Sequence, residues 1–219
     1  MKRQKRGTPY GKKGAMHMVE STVKNSALVQ VRRDQIIQSA LSLFKEKGFH
    51  KTTTREIANV AGFSIGTLYE YIRTKEDVLY LVYESIYEQV STQMTPLMKQ
   101  EHPTIHDMLK IVESYFHMMH EMQEEVILLY QEMKSLPAEK RTFILKQERA
   151  LIRLFTEMIT EVAPMKLAPL EADVIANNIF IQGQMWGFRR WALQKQFTFE
   201  TYVSYQLTYI KRALHIKDL

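Results

Sequence analysis

Three groups of residues have types and spacings suited to chemistry. Gly62-Phe63-Ser64-Ile65-Gly66 fits G-x-S-x-G, the pattern that sets a hydrolase's nucleophilic serine on a sharp strand-to-helix turn. Glu113, His117 and His120 fall at i, i+4 and i+7 on one helical face, with His102 and His106 upstream, the donor types of a metal site. Thr53, Thr54, Ser64, Thr67, Tyr69, Tyr71 and Lys75 gather hydroxyls and a cation, the groups that hold phosphate oxygens. Which group functions depends on the elements that must position it.

The serine elbow needs a strand before the serine, and none is readable. Thr53 and Glu56 have capping-box spacing, so Arg55 to Ala61 reads as a short capped helix. No stretch alternates with period two between hairpin turns, and the sequence predicts an all-α chain of about nine helices and no enzyme. From Val31 apolar residues recur at helical spacing through Ile36, Ile37, Ala40, Leu41 and Phe44, until Gly48 stops the first helix. Gly62 breaks the second, Ser64 caps a third through Ile65, Leu68 and Ile72, and Thr74 caps a longer fourth. Thr104 opens a helix to about His120, Glu121 to Leu136 forms another, and Pro137 begins one that ends before Pro164. Pro169 and Thr198 open the last two. On such helices a histidine face is more often a solvated or partly buried stripe than a metal site, so no metal and no cofactor are expected.

Of the 219 residues 45% are hydrophobic and 25% charged, an ordinary globular composition, and none is cysteine. That excludes disulfides, thiol nucleophiles and thiolate zinc sites, and fits a reducing, cytoplasmic setting. No apolar run has the length of a signal-peptide core or a membrane span. The net charge of +6 is unevenly placed. Residues 1–19 hold six bases and no acid, residues 20–75 hold nine bases against five acids, and the remainder is acidic by four. Residues 1 to 25 show no periodicity and read as a disordered basic tail. The tail is either a minor-groove arm or an artefact of a start at Met16 or Met18.

Two short helices joined at Gly62-Phe63-Ser64, behind a longer packing helix, form a helix-turn-helix, with small Ala58 allowing close approach. Residues 31 to 83, above all TTTREIANVAGFSIGTLYEYIRTKEDVL, resemble the amino-terminal domain of TetR-family transcriptional repressors. The resemblance implies that Ser64 to Tyr71 enters the major groove of a palindromic double-stranded operator. It implies phosphate contacts from Thr53, Thr54, Tyr69, Tyr71 and Lys75, with the two tyrosine hydroxyls turned outward. Gly66 allows close approach of backbone to DNA, and Thr67 and Ile65 face base edges. Ile65 departs from the polar residue common in relatives, so no operator sequence follows. The domains read as a tail (1–25), a DNA-binding domain (26–75) and an effector-binding, dimerising body (76–219).

For the body, the resemblance implies a homodimer formed by the last two helices, a seam placed on Ile175, Ile179, Gly183, Tyr202, Leu207, Ile210 and Leu214. Gly183 and Gly187 either permit a close helix crossing or Gly187 ends its helix. Soft and aromatic residues at helical spacing, among them Tyr115, Met119, Met122, Tyr130, Phe155, Met185 and Trp186, are plain core or the wall of an effector site. The resemblance favours an effector, with Gln182 and Arg189 to orient it; a lipophilic molecule such as a fatty acyl thioester fits. The rival reading is a helical scaffold whose basic end binds nucleic acid or acidic partners nonspecifically.

Overall fold

The computed structural model describes Val19, Ser21 and residues 26–216. Among the described residues there are nine α-helices and no strand: α1 (Ser26–Lys47), α2 (Thr54–Val60), α3 (Ile65–Tyr69), α4 (Lys75–Met98), α5 (Ile105–Glu121), α6 (Gln123–Glu132), α7 (Ala138–Val162), α8 (Pro169–Leu193) and α9 (Phe199–Ala213). A 3-10 turn, Met133–Ser135, follows α6. Two compact units divide between Glu84 and Ser85, inside α4, where the sequence reading began the second domain at residue 76. No described helix is long and apolar enough to cross a membrane.

The predicted stops and caps lie where local chemistry demands them. Gly48 takes φ +83° and Gly62 φ +75°, left-handed values that side-chain-bearing residues avoid, and each ends a helix. Thr53, Thr104 and Thr198 cap α2, α5 and α9 with side-chain hydroxyls. Two expected boundaries move, the first being α3, which stops at Tyr69 rather than running on through Ile72. The helix predicted over residues 121–136 is α6 and the 3-10 turn, because Pro137 forces Leu136 into extended backbone at ψ 140°.

The first unit closes around Ile36, Ala40, Phe44, Phe49, Ile57, Ala58, Leu68 and Ile72, all buried. Val19 is buried here, its carbonyl accepting from the buried Arg33 guanidinium, and the Ser21 hydroxyl donates to the Glu70 carbonyl at 3.0 Å. The expectation of a structureless segment up to residue 25 is therefore corrected at these two positions. The basic residues Lys2 to Lys13 lie outside the described residues, as do Met16 and Met18. In the second unit α8 is the central helix, packed on α5, α6, α7 and α9. Its glycines set that packing. A Cβ at Gly183 would lie 2.6 Å from Cε1 of Tyr115, and one at Gly187 3.2 Å from Cβ of Gln123, so both allow close crossings within the protomer. Gly187 does not end the helix, which runs on to Leu193.

Candidate nucleic-acid interface and effector cleft

Burial of Ile57, Ala58 and Leu68 fixes which sides of α2 and α3 face outward. Those sides carry a row of hydroxyls. Ser64, exposed, accepts the Thr67 N–H at 3.0 Å as the cap of α3, and its Oγ lies 3.0 Å from Thr67 Oγ1. The hydroxyls of Thr54 and Tyr69 are 3.2 Å apart, and Tyr69 is 49% exposed. Ile65 is half-buried and Gly66 exposed; a Cβ at Gly66 would touch only Ser64 Oγ, at 3.6 Å, so nothing inside the protein requires glycine there. Ser64 follows a helix rather than a strand and its hydroxyl caps a helix, which removes the basis for a serine elbow.

Two expected phosphate ligands are placed differently. Tyr71 is 3% exposed and lies beyond the end of α3, which stops at Tyr69; its ring is core, and the outward-facing hydroxyl is corrected. Lys75 directs its ammonium at three carbonyls, donating to Phe49 (2.9 Å), His50 (3.2 Å) and Thr52 (3.1 Å), and sits 4.3 Å from the centroid of the Phe49 ring. An ammonium has three N–H donors, and all are engaged. Sequence spacing placed Lys75 at the start of α4 but gave no sign of the turn it ties.

Thr53 completes the capping box that its spacing predicted. Glu56 N–H donates to Thr53 Oγ1 at 3.3 Å, while Glu56 Oε2 accepts from Thr53 N at 2.8 Å. The ammonium of Lys47 beside Glu56, together with the Thr53 donors, holds this carboxyl down at about 2.

In the second unit a narrow cleft with a cavity volume of about 60 Å³ opens between α4, α5, α6, α7 and α8. Of the expected effector residues, the structure brings Tyr115, Met119 and Tyr130 to it. The others are elsewhere. Gln182 lies two residues from Gln184, which does line the cleft, and two residues on a helix turn a side chain to another side. Trp186 packs on Phe199 and Tyr202, Phe155 backs Tyr115 edge-on at 5.3 Å, and Arg189 is exposed over the Trp191 ring. Met122 is buried at the α5–α6 junction and Met185 is half-buried; neither lines the cleft. Sequence reasoning missed Tyr87, Phe180, Gln184 and Glu148, because a lone Glu on an amphipathic helix carries no mark of facing inward.

Two residues of the histidine face meet one aromatic ring, while Glu113 and His117 stay exposed. His120 stacks on Phe199 at 4.0 Å and His117 meets the same ring edge-on at 5.1 Å; burial pushes His120 below its ordinary value. No metal-binding cluster exists among the described residues. The expected dimer seam is largely protomer core: Ile179, Gly183, Tyr202, Ile210 and Leu214 are buried, and Ile175 and Leu207 half-buried.

Comparison with known proteins gives this geometry its family. The model of bacterial regulatory proteins of the tetR family matches residues 36–80. The HTH-type transcriptional regulator HbdR of Aromatoleum sp. (strain CIB) is 30% identical over 190 residues, covering 84% of this chain and 81% of the relative. The HTH-type transcriptional repressor KstR2 of Mycolicibacterium smegmatis is 23% identical over 163 residues, 73% of this chain and 78% of its own length. Among solved structures, AibR in complex with isovaleryl coenzyme A and operator DNA shares the fold at TM-score 0.66 and 18% identity, covering 81% of this chain and 97% of that one. The chain belongs to the TetR family and is a DNA-binding transcriptional regulator.

Proposed function

We propose that the chain is a dimeric repressor that reads a palindromic operator with Ser64, Ile65, Gly66, Thr67 and Tyr69, and releases it when a small lipophilic effector fills the cleft. The observation that carries the reading is the outward row of hydroxyls from Thr54, Ser64, Thr67 and Tyr69 on a helix pair whose other side is core. Hydroxyls there serve phosphates and base edges, and the bare backbone at Gly66 lets α3 approach the groove closely. Thr53 contributes through its cap, and Lys75 positions the turn before α2 while adding charge.

The dimer seam belongs on the outward face of the last two helices. Leu170, Val174 and Ile181 recur along α8, and Tyr205 and Tyr209 along α9, all exposed. An exposed apolar stripe of this kind favours a second copy of the same stripe, as a twofold interface requires. Two copies present two recognition helices, which is what a palindrome reads.

Release follows from a difference in affinity. Ile86, Tyr87 and Val90 of α4 line the cleft, and α4 begins at Lys75, beside the turn its ammonium ties. An effector that prefers one setting of α4 draws population from the DNA-binding state. The isovaleryl coenzyme A held by AibR supports an acyl thioester as that effector. Selection from a random duplex pool tests the reading: an inverted repeat whose preference survives rising salt is expected, whereas a pool bound without regard to sequence, with affinity collapsing alike for all, makes the chain a nonspecific scaffold.

A further inference from the structure

Glu148 is the one acid in a mostly apolar cleft, whose other polar groups are the Tyr87, Tyr115 and Tyr130 hydroxyls and the Gln184 amide. It stands on α7 among Ile86, Val90, Leu129 and Leu151, and no Lys, Arg or His lines the space. Its Oε2 accepts from the Tyr87 hydroxyl at 3.1 Å, Oε1 accepts no hydrogen bond among the described residues, and the neighbouring Arg149, which does not line the cleft, is the one cation that acts on the carboxylate. The other buried hydroxyl nearby is committed, since Tyr115 donates to the Phe180 carbonyl at 3.0 Å. Burial pushes the Glu148 carboxyl above its ordinary value, so this acid is incompletely solvated and gains from a donor brought to it.

Resting on the reading of the cleft as the effector site, we infer that the end of the effector that enters it, the far end of the acyl chain in an acyl thioester, differs from a plain isovaleryl group in carrying a hydrogen-bond donor, a hydroxyl or protonated amine on an apolar body. Glu148, steadied by Tyr87, receives that donor. The same arrangement rejects a free carboxylate, which would meet a second acid and no base in an apolar surround. The apolar walls set affinity and Glu148 sets which end group is accepted, because a buried acceptor left unmatched disfavours a ligand lacking the donor.

The test uses the full chain and three eight-carbon probes, 1-octanol, octylammonium and octanoate, titrated calorimetrically at pH 7.5. Octanol and octylammonium are expected to bind at least ~10-fold more tightly than octanoate, the ratio a charge-assisted hydrogen bond supplies. Glu148→Gln should weaken octylammonium ~10-fold, leave octanol within ~3-fold because an amide oxygen still accepts, and strengthen octanoate. Met133→Trp fills the cleft and should abolish all three, with melting followed by circular dichroism; Leu151→Phe is a gentler filling if the first variant does not fold. If the wild-type protein binds none of the probes, or the filled variants bind them undiminished, the effector reading of the cleft fails and the inference with it. If octanoate binds as well as the others, or Glu148→Gln leaves their order unchanged, the cleft stands and the end-group inference alone is overturned.

Discussion

The Thr54 and Tyr69 hydroxyls lie 3.2 Å apart, joining the first residue of α2 to the last of α3 across the outward face of the helix pair. Because Tyr69 is half exposed, this bond adds little to stability but holds the phenol in one orientation, which the proposed operator contact would use. Tyr69→Phe should weaken binding of the selected operator by about 3- to 10-fold, one hydrogen bond's worth, and Tyr69→Ala by more. The melting temperature should move little in either. Fluorescence anisotropy with the labelled duplex checks this; operator affinity unchanged in Tyr69→Ala would remove the tyrosine from the interface.

Lys75 behaves differently, because its ammonium already serves the Phe49, His50 and Thr52 carbonyls and the Phe49 ring. Lys75→Met should destabilise the first unit by about 1–2 kcal/mol, the value for hydrogen bonds to a charged group reduced for partial exposure. Urea denaturation reads that loss. The salt dependence of DNA binding should change by less than one counterion, whereas a slope shallower by a full unit would return Lys75 to direct phosphate contact.

The capping box gives the stability of the first unit an acid limb. Glu56 is held at about 2 by Lys47 and the Thr53 donors, below the usual Glu value near ~4.3 in an unfolded chain. Its contribution is therefore complete above the unfolded value and is lost as pH falls from there through about 2. Glu56→Gln should flatten the pH dependence of unfolding between those limits while leaving the neutral-to-alkaline range parallel to wild type. Thermal melts from pH 2 to 7 would show it; identical acid slopes would mean the Lys47–Glu56 pair does not persist in solution.

Most of the fold was legible because it is written locally. Thr53, Ser64, Thr104, Thr198 and the left-handed Gly48 and Gly62 each act within a few residues of their own position, and a single sequence records that spacing. The hydroxyl row was legible for the same reason. What failed was orientation beyond a helix end or around its circumference. Continuing α3 two residues past its stop turns Tyr71 outward, where the structure buries it, and sequence names Gln182 but not Gln184 because no contact says which side of α8 faces the cleft. The seam carries a related ambiguity. A helix packed on its own protomer and on a partner carries two apolar stripes, and the pattern alone does not say which of them is internal.

That ambiguity is open to a direct experiment on two isoleucines. Ile181 is 50% exposed on α8, and Ile210 is 1% exposed on α9. Placing a charge at the centre of an apolar interface disfavours association strongly, while an exposed position in the free protomer tolerates it. Ile181→Glu should thus give a folded monomer at micromolar concentration by sedimentation, with helical content retained and operator affinity reduced by 100-fold or more, since each half-site then binds alone. Ile210→Ala, by contrast, should cost about 2–5 kcal/mol of stability as a cavity in the protomer core. The wild-type protein and any folded Ile210→Ala should share one sedimentation coefficient. If Ile181→Glu remains dimeric and Ile210→Ala dissociates without unfolding, the partner sits on the buried stripe and the seam is again the one first read from the sequence.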